Sequence, residues 1–191
     1  TFNGVIGGTG NLLVLGAGTV TITGANTYSG TTDLPTAIVN LTGSGTLGTG
    51  AITLNSTTLN VGVAAATTKT LGGTIGGSGS VNITGGGTIL VPGTTVWQSP
   101  VTANVTASTV NFDAAPAVTK TISSSIGGTG AVLISGGGTV ALTGTNTYAG
   151  PTSVNASTLS VATAAPLGSA GITLIGGSLS LTAPMTVSNT I

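Results

Sequence analysis

The sequence predicts an all-β fold, a single parallel β-helix or β-solenoid. Three observations predict it. The stretch Ile6 to Gly30, IGGTGNLLVLGAGTVTITGANTYSG, returns as Ile126 to Gly150, IGGTGAVLISGGGTVALTGTNTYAG, and a looser copy starts at Ile75, IGGSGSVNITGGGTILVPGTTVW. Within each copy, short β-branched runs alternate apolar and polar residues, the period of a half-buried strand. Glycines punctuate these runs, and neither glycine nor threonine favours a helix. With about 22 residues per rung and about 4.8 Å between stacked strands, the 191 residues make about 8–9 rungs. Right-handed winding is expected from the handedness of parallel crossovers.

The inward set follows from the alternation. The first copy offers Leu12, Val14, Val20 and Ile22, the second Val81, Ile83, Ile89 and Val91, and the third Val132, Ile134, Val140 and Leu142. Outward positions are mostly Thr, Ser, Asn or Ala, with Leu13, Leu15 and Leu133 as exceptions. From Ile6 to about Val63 each position aligns without a gap to the residue 120 further on, so that LGTGAITL at Leu47 answers LGSAGITL at Leu167. A boundary hexad, Thr, an apolar residue, three others and an aliphatic one, recurs at Thr1-Phe2 to Ile6, Thr70-Leu71 to Ile75, Thr121-Ile122 to Ile126 and Thr186-Val187 to Ile191. It divides one continuous solenoid into modules 1–69, 70–120 and 121–185 and a closing strand 186–191, with modules differing by roughly one turn and the first and last hexads expected at the same phase of the repeat. The runs GGTG, GGG and GAG are read as corners, where glycine supplies positive φ or close backbone approach. A phosphate-binding loop would need a following helix and usually a lysine, and neither accompanies them.

Composition narrows the function classes. The chain has 40 Thr and 34 Gly but only four charged residues, Asp33, Lys69, Asp113 and Lys120, and no net charge. Nucleic acid is not an expected partner, because phosphate binding draws on clustered Lys and Arg. No run reaches the roughly 18 apolar residues of a membrane helix, so no membrane insertion by this segment is expected. The chain opens on Thr1 rather than Met, which points to a removed leader or a piece of a longer chain.

The runs GTVTITGANTYSGTT at Gly18 to Thr32 and GTVALTGTNTYAGPT at Gly138 to Thr152, with the LGTGAITL segment, resemble the autotransporter-associated β-strand repeat, a passenger-domain repeat of bacterial surface proteins. The resemblance implies a right-handed β-helix exported to the cell surface, used as stalk, adhesin or matrix protein.

Catalysis is not expected. Glycoside hydrolysis ordinarily uses two carboxylates about 5–10 Å apart, and the two acids, Asp33 and Asp113, fall at non-matching positions of different modules. With no His and no Cys, the usual triads and most transition-metal sites have no donors, and no cofactor is expected. Lys69 and Lys120 share a TKT context and are read as solvated corner residues. Tyr28, Trp97 and Tyr148 share a place in the copies; as an outward ladder they would form a possible glycan contact, and otherwise each ring covers a strand end with its polar tip outward. The triplets opening at Asn40, Asn55, Asn82, Asn104 and Asn155 have the glycan-acceptor form. Alternating threonine, as in Thr19 to Thr23, invites an ice-binding comparison, although Thr21 is answered by Ala141.

The leading expectation is an extracellular structural protein, a solenoid subunit that stacks head-to-tail with itself into a cell-surface or matrix filament. Its assembly ends are Thr1, Phe2 and Ile6 at one side and Thr186, Val187 and Ile191 at the other, because an open terminal rung exposes unpaired backbone. The alternative is a non-polymeric surface adhesin or stalk binding glycans or other cells, and the third is an ice-binding β-helix.

Overall fold

A computed structural model describes residues 1–162, 167–184 and 186–191. Its twenty strands form four parallel sheets. The first contains β1 (Leu12–Leu13), β3 (Thr32–Leu34), β5 (Ile52–Leu54) and β8 (Ile75–Gly77). The second contains β2 (Thr19–Ile22), β4 (Ile38–Leu41), β6 (Thr58–Gly62), β9 (Ser80–Thr84), β11 (Thr102–Val105) and β14 (Ser125–Gly128). The third contains β7 (Thr68–Thr70), β10 (Thr88–Val91), β12 (Thr109–Asp113), β15 (Ala131–Ser135), β17 (Thr152–Asn155) and β19 (Ile172–Ile175). The fourth contains β13 (Thr119–Ile122), β16 (Thr139–Leu142), β18 (Thr158–Val161) and β20 (Ser178–Leu181).

Every ladder between these strands is parallel, and the turn from one strand to its neighbour takes from 19 residues (Val20 to Val39) to 23 (Ile52 to Ile75). The object is therefore a β-solenoid of about eight to nine turns, as the repeat and the alternation predict. The expected inward residues are inside: Val81, Ile83, Ile89, Val91, Val132, Ile134, Val140 and Leu142 are buried, and Leu12, Val14 and Val20 pack against the core at its first rung. Leu13 and Leu15 point out, 57% and 73% exposed.

Three faces are visited in a fixed order, seen in the succession β7, β8, β9, β10 through the third, first and second sheets. Trp97 forms a parallel bridge to Ile75 of β8, and its carbonyl accepts the Ser123 and Ser124 N–H groups just after β13. The first and fourth sheets thus lie on one face, here face 1, joined through Trp97. The second sheet is face 2 and the third is face 3. Ladders cross the boundary at residue 70 without interruption, as β5 pairs with β8 and β6 with β9. The last residue of the expected module 121–185, Met185, lies outside the described residues.

The boundary hexads do not all share a phase of the coil: the first and last lie alike, with Phe2 and Asn189 on face 2, but the two internal ones do not. Thr70 belongs to face 3 and Ile75 to face 1, whereas Thr121 belongs to face 1 and Ile126 to face 2. The cause is arithmetic. A step of 51 residues falls between two turns of 19 to 23 and three, and a step of 120, which six turns of 20 would fill, falls short of six turns because several turns on the way take 22 or 23, so each return of the motif arrives one face away. Strands matched by the 120-residue repeat accordingly sit on different sheets, β3 on face 1 and β17 on face 3.

The corner reading of the glycines holds. Gly8, Gly77 and Gly128, the second glycine of each GG motif, take φ of +96°, +97° and +97°. At Gly128 an added Cβ would lie 2.1 Å from the Val105 carbonyl oxygen on the rung beside it. Gly128→Ala is therefore expected to cost about 1–3 kcal/mol, the order of a strained non-glycine φ, with the steric clash adding to it. Urea unfolding would show a lowered midpoint; an unchanged midpoint would contradict this account of the corner.

Candidate functional site

The Asn-Thr-Tyr-x-Gly core is the most distinctive local pattern, and the fold gives each residue a task. Between β2 and β3 and between β16 and β17, the face without a strand is spanned by this segment. Asn26 joins three levels of the coil: its Oδ1 accepts the Ile6 N–H at 2.8 Å and its Nδ2 donates to the Thr46 carbonyl at 2.7 Å. Asn146 Oδ1 accepts the Ile126 N–H at the same distance, 2.8 Å. Tyr28 and Tyr148 turn inward and fill the space that a third strand's side chains would occupy, with exposures of 1% and 0%. Their hydroxyls meet Thr32 Oγ1 at 2.6 Å and Thr152 Oγ1 at 2.7 Å, which satisfies both partners inside the rod. Gly48 and Gly168 close over the rings, where a Cβ would lie 2.5 Å from Tyr28 Cδ2 and 2.6 Å from Tyr148 Cε2.

The rings therefore do not form an external ladder, nor do their polar tips face outward. Trp97 is likewise buried, meeting Phe112 edge-on at a centroid distance of 5.4 Å. The three rings also occupy three faces. Tyr28 stands between β2 and β3, the face-3 position; Trp97 between β10 and β11, the face-1 position; and Tyr148 between β16 and β17, the face-2 position. As buried rings on separate faces, Tyr28, Trp97 and Tyr148 offer no stacking surface to a sugar.

The lysines are a second correction. Both point inward, Lys69 at 8% and Lys120 at 1% exposure. Each stands in the strand that opens a new sheet, β7 for the third and β13 for the fourth. Lys120 Nζ donates to the Val91 and Asp113 carbonyls at 2.6 and 2.8 Å. Burial lowers its pKa from the usual 10.5 to about 8, with the Asp113 charge pulling the other way. Burial also lowers the pKa of Lys69, whose Nζ is among the buried atoms with no hydrogen-bond partner. The signal was present in the sequence: Lys120 shares strand parity with Ile122, and Lys69 with Leu71, both inward residues.

Outward, face 2 carries an asparagine column that sequence reading missed. Thr21, Asn40, Asn60, Asn82 and Asn104 are register partners on successive strands. Asn60 Nδ2 donates to Asn40 Oδ1 at 2.8 Å, and Asn82 Nδ2 to Asn60 Oδ1 at 3.0 Å. The column is amide rather than threonine; outward threonines align instead as Thr68, Thr88 and Thr109 on face 3 and as Thr119, Thr139 and Thr158 on face 1.

At the two ends the core is open. Phe2 bridges Ile22 on face 2 at 56% exposure, Ile6 is half-buried, and Thr1 is exposed. Phe2, Ile6, Leu12, Val14, Val20 and Ile22 line a hollow of about 230 Å3. At the other end the Thr190 carbonyl accepts the Ile172 N–H, which places Ile191, 68% exposed, on the face-3 ladder. Val187 is half-buried, Thr186 exposed, and Leu174, Ile175 and Leu181 are 37%, 55% and 45% exposed.

A lysine pKa that is lower in the folded chain means that the unfolded chain binds more protons between about pH 8 and 10.5, so stability rises with pH across that window. Tyr148 runs the other way. Burial raises its pKa to about 12 against the lowering effect of its Thr152 hydrogen bond, so the stability it contributes below pH 10 is lost as pH rises toward 12. The expected profile gains about 1–3 kcal/mol from pH 7 to 10 and then falls. Lys120→Met should flatten most of the rise; chemical denaturation at each pH reads it, and an unchanged slope in the variant would contradict the assignment.

Residues 12–37 and 135–161 match the passenger-associated-transport-repeat. Neither the curated proteins nor the solved structures gave a match to the chain. Both matched stretches contain the Asn-Thr-Tyr-x-Gly core. With its β-solenoid fold, the chain thus carries, in two stretches, an autotransporter passenger-type β-helix repeat.

Proposed function

We propose that this chain is a non-catalytic structural rod of the cell exterior that lengthens by stacking head-to-tail with further copies of itself. The passenger-type repeat implies a secreted or surface location. The observation that carries the stacking is the contrast between flanks and ends. The flanks present hydroxyl and amide groups with hydrogen bonds along the rungs, whereas each end exposes a cluster of apolar side chains over an open core. The N-terminal end offers Phe2, Val5, Leu13 and Leu15, and the C-terminal end Leu174, Ile175, Leu181 and Ile191. An open parallel rung also leaves N–H and C=O groups that a strand of like polarity satisfies. The two surfaces differ, so the contact is heterologous and propagates instead of closing. Burial of the three rings leaves the glycan-adhesin alternative without its contact residues, and Asp33 and Asp113 lie on strands of different sheets, β3 and β12, which supports a role without catalysis.

The test is concentration-dependent length. Electron microscopy and light scattering of the 191-residue chain should show rods that lengthen with concentration. Leu174→Asp and Phe2→Asp each remove a side chain worth about 1.5–3 kcal/mol when buried, a factor of at least about 10 in association. Both variants should remain single rods with unchanged circular dichroism. Short rods of one length at every concentration would overturn the proposal.

A further inference from the structure

On face 3 the backbone ladder breaks between residues 43–49 and β7. Below the break, Thr46 and Thr49 donate their N–H groups to the Gly24 and Tyr28 carbonyls one turn down. Above it, β7 pairs with β10 through the backbone groups of Lys69, which directs those of Thr68 and Thr70 at the turn below. No backbone hydrogen bond joins Thr68 or Thr70 to residues 43–49. A hollow of about 390 Å3 opens at this break, walled by Ser44, Thr46, Val63, Thr67 and Lys69.

Lys69 gives the hollow its chemistry. The residue is 8% exposed and its Nζ has no hydrogen-bond partner. Lys120, in the same TKT setting, shows how this fold satisfies a buried ammonium, since its Nζ meets the Val91 and Asp113 carbonyls. Lys69 has no such carbonyls, and burial is the one cause acting on its pKa, with no carboxylate charge opposing it. A buried ammonium without a partner is costly, and an anion that reaches it offsets that cost with a charge-assisted hydrogen bond. The lysine stem lines the hollow, and its four-carbon chain is flexible enough to bring Nζ to the wall.

The surrounding groups narrow the class of anion. One cation matches one negative charge, whereas a phosphate dianion would bring a second charge with nothing to meet it. The open edge of β7 adds the N–H groups of Thr68 and Thr70 as neutral donors beside Lys69. The hydroxyls of Ser44, Thr46 and Thr67 donate to the Thr23, Asn26 and Ala64 carbonyls, so toward the hollow they stand as acceptors. Acceptors around a cation suit a ligand with hydroxyls of its own. We infer that this break in the ladder is a binding site for a small hydroxylated monocarboxylate, a sugar acid of the uronate class, held by its carboxylate on Lys69. The volume is at the small end of ligand pockets, roughly 300–1,000 Å3, and fits one such unit.

The chain has only two lysines, so each can be followed separately. With isotope-labelled lysine, the Lys69 and Lys120 side-chain signals are assigned by comparing the wild type with Lys69→Met, and both are recorded by NMR while sodium glucuronate replaces sodium chloride at constant ionic strength. The Lys69 signal should move and saturate, and the Lys120 signal should stay. Lys69→Met should weaken glucuronate binding by at least about tenfold in calorimetry. Its urea midpoint should equal or exceed that of the wild type, because the variant removes an unpaired buried charge. No saturable change at Lys69, or equal changes at both lysines, overturns the site. Inorganic phosphate binding as tightly as glucuronate overturns the carboxylate assignment. If Lys69→Met does not fold, Lys120→Met supplies the assignment and the wild-type titration decides.

Discussion

The parallel backbone ladder is the interaction on which this rod depends. Each strand must give its N–H and C=O groups to the turn before and the turn after, and a chain that returns every 19 to 23 residues does so without a helix or a second layer. That requirement fixes the interior. Side chains alternate strictly in and out, so the inside becomes a stack of Val, Ile and Leu in which each buried residue sits over another. It also limits the corners. There the backbone must turn within van der Waals distance of the preceding turn, and only glycine fits at positions such as Gly128. The low charge of the chain follows in part, since a lysine or aspartate inside such a stack has few groups to meet it.

Where the ladder is incomplete, other groups complete it, and these are the informative residues. Two-strand turns leave one face without a full strand, and Asn26 and Asn146 bond across rungs there while Tyr28 and Tyr148 fill the core. Where the third and fourth sheets open, an inward lysine stands in the first strand. Lys120 meets two carbonyls, whereas Lys69 Nζ has no partner, so the same TKT sequence is satisfied in one place and costly in the other. An inward charge on an edge strand discourages a further strand from pairing there, which is consistent with both lysines marking where a sheet begins.

Much of the fold was legible because a two-residue alternation survives local irregularity. Val132, Ile134, Val140 and Leu142 were assignable to the core from parity alone. The aromatic residues were harder, for a physical reason. Tyr28 lies in a segment without strand alternation, where direction is set by the missing third strand and by the glycine that later covers the ring. Lys120 was misread because charge was weighed above parity, although the alternation of Thr119, Lys120, Thr121 and Ile122 already placed it inside. The phase of the two internal boundary hexads was not legible at all. It depends on the lengths of corners, which vary from turn to turn by a few residues and leave no pattern in the strands.

That mismatch between repeat length and turn length has a consequence for what the rod presents outside. If the motif returned after a whole number of turns, equivalent outward residues would stack and any surface feature would run the full length of the rod. A column such as Asn40, Asn60, Asn82 and Asn104 belongs to one face, and it stops where the third copy of the motif brings Gly127 into register with Asn104. The flanks are thereby kept chemically uneven, with columns such as Asn40 to Asn104 or Thr119 to Thr158 running for three or four turns and then changing side chain. A sheet surface this poor in charge has few other means of avoiding side-by-side association. Rotation of the motif around the axis therefore works against lateral packing of its faces.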